Sequence, residues 1–175
     1  MLKKQGIALR PPELKDLEIL YKWENDHSLW HLSNTLVPFS KYILEQYILQ
    51  NNHDIFIDKQ LRLMIDIKES NTTKTVGSID LFEFDPFHQR AGIGILIDKT
   101  YRKKGLASKA LDMLIQYSFN TLNLHQLYCN ILDNNTESLK LFKNKGFEEI
   151  GIKRDWRKIN GQWEDELIFQ LIGTD

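Results

Sequence analysis

A short basic loop in the second half of the chain reads Tyr101-Arg102-Lys103-Lys104-Gly105-Leu106-Ala107. An apolar run, Ile93 to Ile97, precedes this loop, and apolar residues at helical spacing follow it. A strand that passes through a glycine turn into a helix presents unpaired backbone N–H groups to an anion. Glycine permits close approach, and the helix dipole and the basic side chains add positive charge. The loop therefore predicts a bound phosphate group, with a merely solvated basic connection as the alternative.

A second pattern lies downstream of that helix. The segment Gln126 to Leu132 alternates as a β-strand does, and a polar turn, Asp133 to Ser138, leads into a short helix that ends near Asn144. Gly146 then suits the left-handed conformation that closes helices. The sequence thus predicts a strand and a second helix directly after the basic loop and its helix.

Together the two patterns resemble the GNAT superfamily of acyl-CoA-dependent N-acetyltransferases. Its cofactor motif, Arg/Gln-x-x-Gly-x-Gly/Ala, is matched by Arg102, Gly105 and Ala107. Its second signature is matched by Asn135, Ser138, Leu141, Phe142, Gly146 and Phe147. The ends of the chain, with Leu9-Arg10-Pro11 and Asn160 to Asp165, resemble the branch that contains ribosomal-protein and spermidine N-acetyltransferases. The resemblance covers nearly the whole chain.

The composition is that of an ordinary globular protein. Of the 175 residues, 42% are hydrophobic and 27% are charged, and the net charge is −1. This balance argues against nucleic acid or an anionic membrane as a partner. No apolar span is long enough to cross a membrane and no signal peptide is visible, so we expect a cytoplasmic protein. Cys129 is expected to be buried and inert rather than a reactive thiol, and we expect no metal site.

The periodicities predict one α+β domain over residues 1–175, with a core of about 7–172. Strands are predicted at 7–10, 61–67, 76–84, 90–98, 126–132, 148–158 and 164–172, and helices at 13–24, 40–50, from 106 onward and at 138–144. The segment Asn25 to Pro38 is expected to be irregular, and Glu69 to Lys74 to be a polar turn. The resemblance implies the GNAT fold, a central, mixed, mostly antiparallel twisted sheet flanked by helices.

The resemblance also implies acetyl-CoA as co-substrate and direct attack by an amine in a ternary complex. The basic turn would hold the CoA pyrophosphate, and the backbone N–H of Ile97 would polarise the thioester carbonyl. Asn135 would bind the pantetheine arm, although a helix cap is an equal alternative for it. The complete set of expected cofactor residues is Ile95, Ile97, Arg102, Lys103, Lys104, Gly105, Leu106, Ala107, Asn135, Ser138 and Phe142.

Glu83 is the candidate general base. It lies near the end of a predicted strand between apolar neighbours, and partial burial would suit it to accept a proton at pH 7. A solvent-facing strand carboxylate is an equal alternative, and Asp80 and His88 are weaker candidates. Many GNAT relatives carry an acidic residue where this chain has Gly92, which increases the weight on Glu83 or on a water chain.

Phe142 is a second departure from the family pattern. Many members have a tyrosine there that protonates the departing thiolate, and phenylalanine has no proton to give. Tyr128, Tyr101 and Tyr117 are possible substitutes if the fold brings them near, and Phe142 would otherwise simply pack in the core. These departures keep open a second function, a catalytically inactive acyl-CoA-binding or sensor domain.

The acceptor pocket is expected between the segment Asn25 to Pro38, the loop Asp85 to Gln89 and the terminal hairpin. Its aromatic walls would be Trp23, Trp30, His31, Trp156 and Trp163. The substrate residues in this prediction are Glu24, Trp30, Glu83 and Asp165. The neutral stretch Ser33-Asn34-Thr35 lies where polyamine acetyltransferases tend to be acidic. This difference weakens the polyamine hypothesis, and a protein N-terminus or another small amine fits as well, so all three stay open as acceptors. A homodimer or higher homo-oligomer stays open as the assembly.

Overall fold

The computed structural model describes residues 1–4, 6–33, 35–50, 54–69 and 71–173, with the backbone alone for 31–33. Its strands form one sheet. In chain order they are β1 Leu2–Lys4, β2 Ile7–Arg10, β3 Leu61–Glu69, β4 Thr72–Asp85, β5 Arg90–Ile97, β6 Gln126–Leu132, β7 Glu148–Ile159 and β8 Gln162–Ile172. They lie side by side in the order β1-β2-β3-β4-β5-β6-β8-β7.

Helices cover both faces of this sheet. They are α1 Leu17–Glu24, α2 His27–Ser33, α3 Lys41–Gln50, α4 Ile55–Asp58, α5 Leu106–Asn120 and α6 Thr136–Lys143. Short 3-10 turns precede α1 at Leu14–Asp16 and follow β5 at Lys99–Tyr101. Within the described ranges, no helix combines the length and the apolar character that crossing a bilayer requires.

Strand pairing leaves a gap in the middle of the sheet. Every neighbouring pair is antiparallel except β5 and β6, which run parallel. Their register joins only Arg90–Gly92 to Gln126–Tyr128. Beyond Gly92 and Tyr128 the two strands continue to Ile97 and Leu132 without further pairing. A wedge-shaped opening between β5 and β6, the β5–β6 gap, is the consequence.

Alternation along the strands separates two cores. Leu63 and Ile65 of β3 join the larger core, in which Leu111 and Leu114 of α5 are fully buried. Met64, between them in the chain, joins a smaller core with residues of α1 and α3 on the opposite face. The second face carries the polar side chains of the candidate site, because positions next to core residues on each strand point to it.

The predicted α+β mixed sheet is confirmed, and two local predictions are wrong. The segment Asn25 to Pro38 contains α2, because the Asp26 side chain accepts from the Ser28 backbone N–H at 2.9 Å and caps a helix. The segment Glu69 to Lys74 is mostly strand, because β-branched Thr72 and Thr73 extend the β3–β4 ladder to the Glu69–Thr72 pair. Ser70 lies outside the described residues.

Candidate active site

The basic loop ends in the turn that its sequence predicts. Gly105 caps α5 with φ 73° and ψ 6°, and Lys103 also has a positive φ of 61°. The Lys109 N–H returns to the Gly105 carbonyl at 3.2 Å, so the N–H groups at 106–108 precede the first helical hydrogen bond. These groups line a cleft of about 990 Å³. The turn therefore offers backbone donors and a helix N-terminus to an anion in the cleft.

The basic side chains of the loop are held differently. Arg102 is half-buried, and its Nε donates to the Ile97 carbonyl at 3.1 Å, which fastens the loop to the end of β5. Lys103 is exposed, with its Nζ 3.8 Å from a Glu137 carboxylate oxygen. Lys104 is exposed and lies over the Tyr101 ring, 4.8 Å from the centroid. Arg102 is thus structural as well as charged, whereas both lysines are placed for long-range attraction.

The β5–β6 gap exposes backbone groups of β5. The Asp98 N–H donates to the Val76 carbonyl on β4 at 2.8 Å. Because successive N–H groups along a strand point to opposite sides, the N–H of Ile97 points toward the gap. The same alternation directs the N–H of Ile95 there. Both residues line the cleft, so this edge can donate to an extended ligand or to a carbonyl oxygen.

The start of α6 closes the other side of the gap. The Asn135 side-chain oxygen accepts from the Ser138 N–H at 3.2 Å, so Asn135 does cap the helix. Its amide group also carries two N–H donors. Both residues and Phe142 line a small cavity of about 120 Å³ at the bottom of the gap. Phe142 is only 3% exposed and meets Phe147 edge-to-face at 5.1 Å, which makes it a core residue that also borders the cavity.

Glu83 lies on a bulge of β4. Phe82 pairs with Gly92 and Asp85 with Arg90, so two residues of β4 oppose a single residue of β5. Glu83 has φ 50°, a region that residues other than glycine rarely occupy. Of the two alternatives for this side chain, partly buried or solvent-facing, the structure shows the second, because the bulge turns it outward and leaves it exposed at the cleft. There the Tyr128 hydroxyl donates a hydrogen bond to its carboxylate.

The Phe82 ring explains the glycine at position 92. A Cβ added to Gly92 would lie 2.2 Å from Phe82 Cε2, far inside contact distance. The ring also meets Tyr128 edge-to-face at 5.9 Å. An aromatic side chain therefore occupies the space that a side chain at position 92 would need.

A cluster of charged side chains lines the cleft where β3 and β4 lie beside the end of α1. Arg62 Nη1 lies 2.7 Å from Glu24 Oε1, and Arg62 Nε lies 2.6 Å from Asp80 Oδ1. Burial lowers the pKa of Arg62, but the charges of Asp80 and Glu24 outweigh it and raise that pKa overall. All three residues line the cleft, with Trp23 and Leu29 beside them. Arg62 was missed in the sequence because a strand arginine gives no periodic signal.

A second missed cluster lies between β7 and β8. Glu166 is only 2% exposed, and its carboxylate lies 3.0 Å from Lys153 Nζ and 2.7 Å from Arg157 Nε. The cluster lines the cleft beside Asn130, which is 3.4 Å from Lys153 Nζ. A buried carboxylate that is paired twice is costly to disturb and fixes the hairpin against the gap.

Several residues that were predicted to line the acceptor pocket do not line the cleft. Trp30 donates from Nε1 to the Glu24 carbonyl at 2.8 Å and stacks on His27, and it is not among the described residues that line the cleft. Asp165 is also absent from that lining, since its carboxylate accepts from the Asp155 N–H at 2.8 Å. Among the other residues predicted for the pocket, Trp156 lines the cleft. No described residue of the loop Asp85 to Gln89 lines it, and neither does Trp163. Asn34 and the His31 side chain lie outside the described residues.

The remaining sequence predictions concern cysteine and metal. Cys129 is buried, and burial raises the pKa of its thiol, which keeps the thiol protonated. In the part of the chain that the structure describes, no group of three or more His, Cys, Asp or Glu side chains is arranged to hold a metal ion.

Comparison with known proteins finds a matching family and relatives that align along nearly the whole chain. Residues 7–148 match the family model described as acetyltransferase (GNAT) domain. The chain is 30% identical over 172 residues to the uncharacterized N-acetyltransferase p20 of Bacillus licheniformis, and this alignment covers 98% of this chain and 95% of that protein. It is 27% identical to the spermidine N(1)-acetyltransferase of Escherichia coli strain K12, over 97% of this chain and 89% of that enzyme.

A solved structure shares the arrangement of the site's elements. The spermidine N-acetyltransferase of Vibrio cholerae in complex with CoA and spermine aligns with a TM-score of 0.85 at 25% identity, covering 95% of each chain. None of the three proteins named here supports the alternative of an inactive binding domain. The family model covers most of the chain and the relatives named above are N-acetyltransferases, and the chain therefore belongs to the GNAT acetyltransferase family, enzymes that transfer an acetyl group to an amine.

Proposed function

We propose that this N-acetyltransferase uses acetyl-CoA and that its acceptor is a small cationic amine of the polyamine class. The observation that carries the proposal is the distribution of charge along the cleft. We call the turn at Arg102 to Ser108, which follows β5, the basic end of the cleft, and the part lined by Glu24, Asp80 and Glu83, beside the first half of β5, its acidic end. An anionic cofactor and a cationic acceptor would therefore enter from opposite ends and meet at the β5–β6 gap.

The acidic end has an excess of carboxylates. Glu24, Asp80 and Glu83 contribute three negative charges there, and Arg62 compensates one of them. Two uncompensated negative charges in a partly enclosed cleft attract a cation more strongly than the same charges in water. A molecule with several ammonium groups and methylene spacers fits this end, because Trp23 and Leu29 supply apolar walls beside the carboxylates.

The basic end suits the CoA portion. The N–H groups at 106–108 and the helix dipole would hold the pyrophosphate, and the Asn135 amide would donate to the pantetheine arm. The N–H groups of Ile95 and Ile97 would line the path of that arm toward the thioester. The relative from Vibrio cholerae, described in complex with CoA and spermine, supports the pairing of a CoA cofactor with a polyamine acceptor.

The proposed reaction is a direct transfer. The neutral amine nitrogen attacks the thioester carbon, and the backbone N–H of Ile97 stabilises the negative charge that develops on the oxygen. Glu83, directly or through one water, accepts the proton that the amine loses. The carbon–sulfur bond then breaks, the thiolate of CoA takes up a proton, and the products are the N-acetylated amine and free CoA.

A panel of amines tests the acceptor class. The purified protein is supplied with acetyl-CoA and with spermidine, spermine, an aminoglycoside, single amino acids or a peptide with a free N-terminus, and released thiol is measured. We expect the highest kcat/KM with a polyamine. A preference for the peptide, or turnover that ignores the charge of the acceptor, would contradict the proposal.

A variant of Glu24 tests whether the acidic end binds the acceptor. Glu24→Gln should raise the polyamine KM at least about fivefold, because it removes a carboxylate from the acidic end, and should leave acetyl-CoA affinity unchanged. Glu18→Gln is the matched control, since Glu18 pairs with Lys41 at 2.7 Å on the exposed side of α1. Equal effects of both variants would show that the acidic end does not bind the acceptor.

We also propose that the protein forms a homo-oligomer. Large apolar side chains are exposed on α3 and α4, namely Tyr42, Ile43, Leu49, Phe56 and Ile57. A structure of the Vibrio cholerae spermidine N-acetyltransferase, described as dodecameric, aligns with a TM-score of 0.79 at 26% identity over 95% of this chain and 94% of that one. Light scattering after size exclusion tests the proposal, and a monomeric mass at micromolar concentration would contradict it.

A further inference from the structure

The neighbourhood of Glu83 is built around a tyrosine. Tyr128 is the last residue of β6 that pairs with β5 before the β5–β6 gap opens. Its hydroxyl donates to the Glu83 carboxylate, and its ring packs edge-to-face on Phe82 at 5.9 Å. Phe82 itself lies over Gly92, where a Cβ would be 2.2 Å from the ring. Glycine at position 92, the ring and the tyrosine therefore form one contact chain that ends at the carboxylate.

We propose that Tyr128 is a positioning residue for Glu83, holding the carboxylate at the mouth of the gap so that it can take the amine's proton. This inference rests on the proposed function, in which Glu83 is the base. The bulge gives a physical reason why Glu83 would need such a partner. Glu83 is exposed and has a flexible side chain on strained backbone, so without a partner its carboxylate would sample many orientations.

Burial and the neighbouring carboxylate keep the tyrosine hydroxyl in the form that donates a hydrogen bond. Burial raises the pKa of the Tyr128 hydroxyl, the hydrogen bond to Glu83 raises it further, and the charge of Arg90 on β5 lowers it. Arg90 is itself paired with Asp85 of β4 at 3.3 Å. The strand on the other side, β8, places the neutral Gln170 opposite Tyr128. The phenol therefore stays protonated at neutral pH, and Glu83 accepts its hydrogen bond.

The test compares the wild type, Tyr128→Phe, Glu83→Gln and the double variant, all as full chains with acetyl-CoA and the best amine of the panel. We expect Tyr128→Phe to lower kcat about tenfold, with the amine KM and the acetyl-CoA affinity unchanged. In the Glu83→Gln background the same change should have little further effect, because a positioning residue acts only through its partner.

Tyr21→Phe is the matched control. Tyr21 lies on α1 beneath Lys41, whose Nζ is 5.3 Å from the ring centroid, and the loss of its hydroxyl should leave kcat and the amine KM at wild-type values. If the wild type acetylates amines and Tyr128→Phe keeps the wild-type kcat, the positioning role is overturned and the proposed function stands. Fully additive effects in the double variant also overturn it. If the wild type acetylates no amine, both proposals fail.

Discussion

Substitution of Gly105 tests the phosphate turn most directly. Its φ of 73° is left-handed, and a Cβ added there would meet no atom within 4 Å. Valine would therefore strain the backbone without clashing with the protein. Left-handed backbone costs an L-residue about 1–2 kcal/mol, which corresponds to a fall in Tm of roughly 2–8 °C for a domain of this size. Even so, Gly105→Val should weaken acetyl-CoA binding at least tenfold in calorimetry, because the shifted turn loses charge-assisted hydrogen bonds to phosphate.

A series at the same position separates the two causes. Asparagine has nearly the size of valine but tolerates the left-handed region, so Gly105→Asn isolates the effect of the side chain from that of the backbone. Gly161→Val is the matched control, since Gly161 has φ 85° and equally open surroundings in the β7–β8 turn. It should lower Tm similarly and leave acetyl-CoA affinity unchanged. Wild-type affinity in both Gly105 variants would refute the assignment of the phosphate site to this turn.

The other predictions concern the centre of the cleft. Glu83→Gln should lower kcat ~10²–10⁴-fold and change KM less, as expected for a base; a variant with full rate and an unchanged pH profile would make Glu83 structural. Phe142→Tyr should raise kcat modestly by restoring a proton donor beside the thiolate, measured with a poor acceptor; a fall in Tm instead would mean a hydroxyl buried without a partner, at a cost of ~1–3 kcal/mol. Gly92→Ala should destabilise the fold by ~1–3 kcal/mol through overlap with Phe82, measured by thermal unfolding, and Phe82→Leu should relieve it; an unchanged Tm in Gly92→Ala would show that the ring moves aside freely.

Local patterns predicted most of the fold because periodicity reports on burial. The strand alternation around Leu63 and Ile65 and the helical spacing in α5 follow directly from which side chains face the core. The helix α2 was missed because polar and aromatic residues hide its periodicity. Its signal was the cap, Asp26 followed by Ser28, which a close look at turn chemistry could have found.

The glycine turn before α5 could be predicted from the sequence alone, because every part of that turn is local. A strand, a glycine that accepts a positive φ and the first turn of a helix lie within a few consecutive residues, and their chemistry needs no distant partner. Asn135 and Ser138 were predictable for the same reason, since a cap and its N–H are three residues apart.

The charge cluster around Arg62 and the surroundings of Glu83, in contrast, depend on contacts that only the folded sheet creates. Arg62 meets Glu24 across 38 positions of chain, and Tyr128 meets Glu83 across 45, so no local pattern announces either pair. The bulge that exposes Glu83 follows from the register of β4 against β5, which is set by the pairing of whole strands. In each case the groups acquire their partners, burial and charge from elements that are distant in the sequence and that the sheet brings together.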